Sequence, residues 1–294
     1  MSLVHSYLRA IGFNMKKKKE IEEIVKEVIK APASIKTARI NEDVEITQIS
    51  KNFSERVGLT LVGEYNESNE FIMDYYYPYF NGSGVTTSED VVVEKHSDKE
   101  SYAGVCDEMK VGVSLIFYLQ DVAEYMNGRR EGSMSKQNTA VTLSGLSLSG
   151  KIILPISKNE EQKINYKEAS VNRSHLIAAA RQGDEEAIES LTLEDIDTYT
   201  QISRRIMHED VFTLVDTYFM PYGIECEQYS VMGEILDYSL VKNSMTGAEI
   251  YMLSIECNEM IFDVCINKED ILGEPAVGRR FKGVIWMQGK IDFM

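Results

Sequence analysis

The sequence predicts an α+β protein: a β-rich N-terminal domain over residues 1–157, a linker at 158–172, a helical connector at 173–210 and an OB-like small β-barrel domain at 211–294. Three observations carry this reading. An amphipathic helix precedes a long stretch of alternating apolar and polar residues, broken by Gly, Asn and Ser. A polar stretch without apolar period then leads into a run of helix formers. Finally, Tyr229–Met294 follows the order strand, turn, strand, tight turn, strand, short helix, strand, as in an oligonucleotide/oligosaccharide-binding barrel. A chain of 294 residues suits about two domains and buries enough surface to fold without a disulfide or metal staple.

Each element follows from its residues. In Lys16–Lys30 the residues Ile21, Ile24, Val25, Val28 and Ile29 recur at helical spacing, and Pro32 ends the helix. The field of Lys16–Lys19 is cancelled by Glu20, Glu22 and Glu23, which makes this a solvated helix face. From Glu42 to Ile156 the pattern turns β-rich. Val57–Tyr65 and Glu70–Tyr79 flank the turn Asn66–Asn69 as a hairpin. Val91–Glu94 and Val111–Leu119 are strands, the second with Val111, Val113, Leu115 and Phe117 on one face. Gln120–Asn127 reads as a short helix closed by Gly128, and Thr139–Leu148 with Lys151–Ile156 as a hairpin turning at Ser149-Gly150.

Ser157–Ser170 is polar and charged throughout, the composition of a linker. A helix from Asn172 to Gln182 is stopped by Gly183, and Asp184 caps a second helix reaching Leu191. Thr192-Leu193-Glu194-Asp195 resembles a capping box that opens a third. In the last segment Val231–Val241 is a strand that Gly233 allows to bend. Ser244–Gly247 turns the chain into Ile250–Cys257 and Met260–Ile266, a hairpin about Asn258-Glu259. Lys268–Leu272 is a short helix and Arg280–Gln288 a further strand. An OB-like barrel needs a fifth strand. Lys290–Phe293 is short, so Val211–Phe219 is expected to close the sheet.

The net charge of −16 repels phosphate backbones and anionic membrane surfaces. Residues 211–294 hold six Lys/Arg against thirteen Asp/Glu, a net of −7, which opposes nucleic acid as the barrel's ligand. Arg279, Arg280, Lys282 and Trp286 are the place where positive charge and an aromatic ring coincide in that segment. The longest apolar run, Val111–Leu119, is too short to span a bilayer, and the N-terminus lacks a secretory pattern. No membrane partner is expected.

Four cysteines, Cys106, Cys226, Cys257 and Cys265, form no CxxC pair. A two-residue turn at Asn258-Glu259 would pair Cys257 with Met260 and Cys265 with Met252, so these thiols never face each other. Free thiols suit a reducing cytosol. The four histidines have no metal-ligand spacing and the glycines no nucleotide-loop spacing, so neither metal nor cofactor is expected. His96 with Cys106, Asp107 and Glu108 is the grouping closest to a nucleophile–base pair, and Met207-His208-Glu209-Asp210 places a second imidazole near carboxylates. Tyr65, Tyr75, Tyr76, Tyr77 and Tyr79 cluster within fifteen positions. Tyrosine offers a large apolar area and a polar tip, so Tyr75, Tyr77 and Tyr79 are candidate binding residues.

Four phrases carry a resemblance: Tyr7-Leu8-Arg9-Ala10-Ile11-Gly12-Phe13, Ser190–Asp197, Tyr218–Cys226 and Gly278–Gly283. On these the chain resembles a bacterial family, domain of unknown function 3881, across essentially its whole length. The resemblance implies a cytoplasmic bacterial protein and brings no activity or catalytic residue with it. The sequence therefore leaves function open. The expected role is a non-catalytic binding or scaffold protein for a protein or small ligand, compatible with self-association into a homo-oligomer. The alternative is a hydrolase- or transferase-like enzyme using carboxylates with His96 or His208.

Overall fold

The computed structural model describes residues 5–14, 18–40, 45–96, 101–108, 111, 113–131, 139–156, 172–173, 175–180, 182–206, 215–224 and 226–293. The protein is mostly β-sheet with few helices, in keeping with the α+β class. A 3-10 turn at Ser6–Arg9 precedes helix α1 (Lys18–Lys30) and strands β1 (Ser34–Arg39), β2 (Glu45–Ser54), β3 (Val57–Tyr65), β4 (Phe71–Phe80), β5 (Val91–Lys95), β6 (Tyr102–Glu108) and β7 (Val113–Leu119). Helix α2 (Val122–Glu131), strand β8 (Thr139–Ile153) and helix α3 (Glu185–Ile206) follow. The chain ends in β9 (Tyr218–Pro221), β10 (Gln228–Lys242), β11 (Glu249–Cys257), β12 (Met260–Asn267), β13 (Ile271–Leu272) and β14 (Arg280–Phe293).

β1 to β4 form a four-stranded antiparallel meander. One face carries Ile49, Leu59 and Leu61, all buried, as are Ile21, Ile24 and Val28 of α1. The turn Asn66–Asn69 joins β3 to β4 as expected, with the Asn66 side chain accepting from the backbone N–H of Ser68 and Glu70.

The second sheet has ten strands in the order β13-β8-β12-β11-β10-β14-β7-β6-β5, with β9 on β10. Within it five strands close on themselves. β8 pairs in parallel with β12, and β12–β11, β11–β10, β10–β14 and β14–β8 are antiparallel. The strand that completes this circuit is thus β8, and not residues 211–219. Of the latter segment, residues 211–214 lie outside the described part, and Tyr218–Pro221 sits beside the first half of β10. Strands from before residue 157 and after residue 211 share this one sheet.

Several local expectations change. Thr139–Ile153 is one 15-residue strand, not a hairpin. Gly150 lies inside it because a Cβ there would stand 2.5 Å from the Phe281 ring, so the glycine makes room for an aromatic and does not turn the chain. α2 runs through Gly128 to Glu131. Residues 185–206 form one helix, in which the Thr192 hydroxyl donates to the Ile188 carbonyl one turn earlier instead of capping a new start. Asp184 does cap it, accepting from the Ala187 N–H at 3.1 Å. Lys268–Asp270 is a 3-10 turn, and Ile271–Leu272 a short strand.

The hairpin of β11 and β12 forms as the spacing predicts. Asn258 and Glu259 take φ of 50° and 63°, a primed two-residue turn, and the register sets Cys257 opposite Met260 and Cys265 opposite Met252. All four cysteines are free, with Cys226 exposed and Cys106, Cys257 and Cys265 buried. Burial pushes the Cys106 and Cys257 thiols up to about 12. A thiol reagent should therefore titrate one group in the folded protein and four after denaturation. Three or more fast groups in the folded state would contradict this packing.

The segment Tyr7–Phe13 is packed on the closing strands. Tyr7, Leu8, Ala10, Ile11 and Phe13 are buried. The carbonyls of Arg9, Ile11 and Gly12 accept from Asn267, Asn243 and Thr246, and the Arg9 guanidinium makes two 2.6 Å bonds to Asp270. Gly12, at φ 88°, fits where a side chain would press on Ala248 and Asn243.

Candidate functional site

The second face of the β1–β4 sheet is polar, and its register explains why. Ser34, Ser50, Thr60 and Tyr77 form one cross-strand row, Lys36, Gln48, Val62 and Tyr75 the next, and Asn52, Gly58 and Tyr79 a third. The ends of β7 and β14 bring Gln120, Asp121 and Lys290 over this face. Between them lies a pocket of about 200 Å³.

Gln48 anchors the floor. Its Nε2 donates to Tyr77 Oη and to the Gln120 carbonyl, both at 2.9 Å, and its Oε1 accepts from the Ala123 N–H at 2.9 Å. The last bond satisfies a first-turn donor of α2 from a different sheet. Tyr77 Oη also donates to the Gln120 carbonyl at 2.6 Å. The Gln120 side chain donates to the Phe80 carbonyl and to Gln288 Oε1, and Gln288 Nε2 donates to the Pro78 carbonyl. The network thus ties the two sheets through side-chain amides, with both donors of Gln48 and of Gln120 satisfied.

Tyr79 lies across Gly58, where a Cβ would come within 2.4 Å of its hydroxyl, and reaches Asn52 Oδ1. Burial, then the charge of Asp121, raises both the Tyr77 and Tyr79 phenols well above their ordinary range, so both stay protonated donors. Ser50 and Thr60 share a 2.8 Å hydroxyl contact beside them. At the rim Asp121 lies 3.7 Å from the Lys36 ammonium and 3.3 Å from that of Lys290. Lys36 also meets Glu124 at 2.5 Å. Burial lowers the Lys36 pKa, but the Glu124 hydrogen bond and the two carboxylate charges outweigh it and hold the ammonium above its usual value.

Of the residues singled out from sequence, Tyr77 and Tyr79 line this pocket. Tyr75 shares their face without lining it. The other candidates lie elsewhere. Arg280 is buried, its guanidinium donating to the carbonyls of Leu154, Val215 and Asp216. Arg279 donates to the Glu274 carbonyl. Lys282 is half-buried on the same strand. Trp286 is buried in an aromatic cluster, 5.0 Å from both the His5 and Tyr118 rings and 5.4 Å from Tyr7. The four do not form an open groove of cations and ring.

His96 does not meet Cys106, which pairs with Val91 further along the β5–β6 ladder. Its Nε2 lies 2.7 Å from Glu227 Oε1 and its Nδ1 3.0 Å from Ser101 Oγ. Asp107 instead accepts from the Ser114 hydroxyl at 2.6 Å, and Glu108 is buried. His208 lies outside the described residues. Among the described residues, no group of three or more His, Cys, Asp or Glu side chains is placed to hold a metal, and no helix is long and apolar enough to cross a membrane.

Lys36, Gln48, Asn52, Thr60, Asp121 and Lys290 were not singled out from sequence. The available signal was β2 itself, where Thr47 and Gln48 interrupt the apolar positions Ile46 and Ile49 yet are buried. Buried polar residues of this kind need built partners.

A family model with the description "Domain of unknown function, E. rectale Gene description (DUF3881)" matches residues 8–289, and the chain belongs to this family. It carries no assigned activity. No curated protein and no solved structure matches the chain.

Proposed function

We propose that the protein is a bacterial, cytoplasmic binding protein whose ligand is a small polar molecule held in the Tyr77–Tyr79 pocket. The observation that carries the reading is the lining. Hydroxyls and amides of Ser34, Ser50, Asn52, Thr60 and Asn81 surround a space of about 200 Å³, with charge confined to Lys36, Lys290 and Asp121. Ligand sites are concave and place a few convergent polar groups against a rigid scaffold. The glutamine network supplies that rigidity. The five-strand circuit also supports an OB-like reading. β10-β11-β12 stand for the first three strands, β14 for the fourth, and β8 for the fifth, which pairs in parallel with the third. In this reading the barrel is circularly permuted, and its first role is to carry the pocket-bearing sheet.

A thermal-shift screen against small polar metabolites tests the proposal. Ligands that raise the melting temperature of the wild type should lose their effect in Ser34→Trp, which fills the mouth from an exposed position. Hits that act equally on both proteins would place binding elsewhere.

The enzyme alternative has the Ser101–His96–Glu227 row in its favour. It is the weaker reading, because Ser101 is only 5% exposed and its hydroxyl is not presented to a substrate.

A further inference from the structure

Resting on that reading of the pocket, we propose that its ligand is an uncharged polyhydroxy molecule the size of one sugar ring, a neutral monosaccharide or cyclic polyol. The rim is electrically balanced. The Lys36 ammonium is held by Glu124 at 2.5 Å and the Lys290 ammonium lies 3.3 Å from Asp121, so two cations face two carboxylates. A ligand with net charge of either sign would lose hydration on entry and find no uncompensated partner there. The chain as a whole, at −16, repels anions besides. A zwitterion would have to separate Lys290 from Asp121 to use both of its charges. A hydroxyl separates nothing, because it donates to the carboxylate and accepts from the ammonium as they stand. Asp121 has about four acceptor sites and meets two lysines, and the three protons of Lys290 meet one carboxylate among the described residues.

The bonds that the lining leaves unspent also suit hydroxyls. Both donors of Gln48 are committed to the floor. Asn52 uses its Oδ1 for the Tyr79 hydroxyl and keeps both Nδ2 protons. The side chains of Ser34 and Asn81 make no hydrogen bond among the described residues, although both residues line the space. Donors and acceptors thus stand side by side, and a hydroxyl, being both, can meet either kind. Tyr77, Tyr79 and Ala33 add apolar surface for the C–H faces of a ring. The volume of about 200 Å³ is that of roughly six or seven waters at about 30 Å³ each, the scale of one sugar ring.

Calorimetric titration of the full chain tests this with four neutral probes (D-glucose, D-galactose, D-ribose and myo-inositol) and three charged ones (D-glucuronate, D-glucosamine and the zwitterion L-serine). At least one neutral probe should bind about tenfold or more tightly than every charged probe, with an affinity that does not fall as salt rises. Asn81→Ala should weaken that probe about tenfold or more while leaving the melting temperature of the unliganded protein unchanged, since its amide has no protein partner to lose. A charged probe that binds tightest and is lost in Ser34→Trp would overturn the neutral class and leave the pocket as a ligand site. A neutral probe whose binding survives both Ser34→Trp and Asn81→Ala would place the site elsewhere and overturn the pocket reading as well. Absence of binding by all seven probes would overturn the neutral-polyol class, and the pocket reading would then be decided by the melting-temperature screen.

Discussion

Arg56→Met is expected to destabilise the fold by about 3–5 kcal/mol, more than Asp263→Ala does. Arg56 sits in the β2–β3 turn of the small sheet, and Asp263 on β12 of the large one. The Arg56 Nη1 donates to Asp263 Oδ2 at 2.6 Å, and the same oxygen accepts from the Ser83 N–H at 2.8 Å and the Ser83 hydroxyl at 2.6 Å. The Asp263 side chain is 3% exposed and that of Arg56 30%. Removing arginine strands a buried carboxylate on Ser83 alone. Removing aspartate leaves a guanidinium that can turn to water, which places its cost at the lower end of the range. Arg56 has φ 58°, and methionine meets the same backbone strain, so that contribution cancels. Denaturant melts of both single variants and the double variant should give a coupling of about 1–3 kcal/mol, with the double less destabilised than the sum. Strict additivity would show that the two sheets are not joined through this pair.

The second large effect is expected at Gln48. Gln48→Leu keeps the volume but removes three hydrogen bonds and leaves the buried Ala123 N–H without its acceptor. An unsatisfied buried donor costs about 1–3 kcal/mol, and with the lost amide bonds the total should reach about 2–4 kcal/mol. For a chain of this size that lowers the melting temperature by roughly 6 °C. Gln48→Glu retains the acceptor for Ala123 but loses both donors. It should therefore preserve the start of α2 while loosening Tyr77 and Gln120. A melt of Gln48→Leu unchanged from the wild type would contradict the network's role in joining the sheets.

The parts of the fold that were legible in the sequence were those in which local signals decide. Asn258-Glu259 fixed its hairpin through turn geometry, and the spacing of Ile21, Ile24 and Val28 marked α1 and its buried side. The strands β1, β2 and β6 were not singled out: β1 buries only Ala38, and the buried positions of β2 and β6 include Thr47, Gln48 and Gly104, which break the apolar alternation. The closing role of β8 was hidden for a different reason. Gly150 reads as a turn residue in isolation, and only its contact with Phe281, 131 positions later, shows that it serves packing across the closed circuit. Likewise Thr192 in the middle of α3 mimics a cap until its bond to Ile188 is seen.

The site divides in the same way. Tyr77 and Tyr79 were visible as a tyrosine cluster and do line the pocket. Gly58 was not visible, since its purpose is the Tyr79 ring that lies over it. Lys36, Asp121 and Lys290 come from three distant segments, and their meeting depends on how the two sheets stack. Trp286 and Arg280 drew attention as rare and charged, yet both are consumed by packing and by backbone carbonyls.

The most direct measurement of the central claim is an amide and side-chain NMR map of the protein titrated with a ligand found in the screen. Shifts are expected to concentrate at Lys36, Gln48, Asn52, Thr60, Tyr79 and Lys290, with the β11–β12 hairpin unmoved. Shifts centred instead on Arg279, Lys282 or the His96–Glu227 contact, with the pocket residues still, would contradict it.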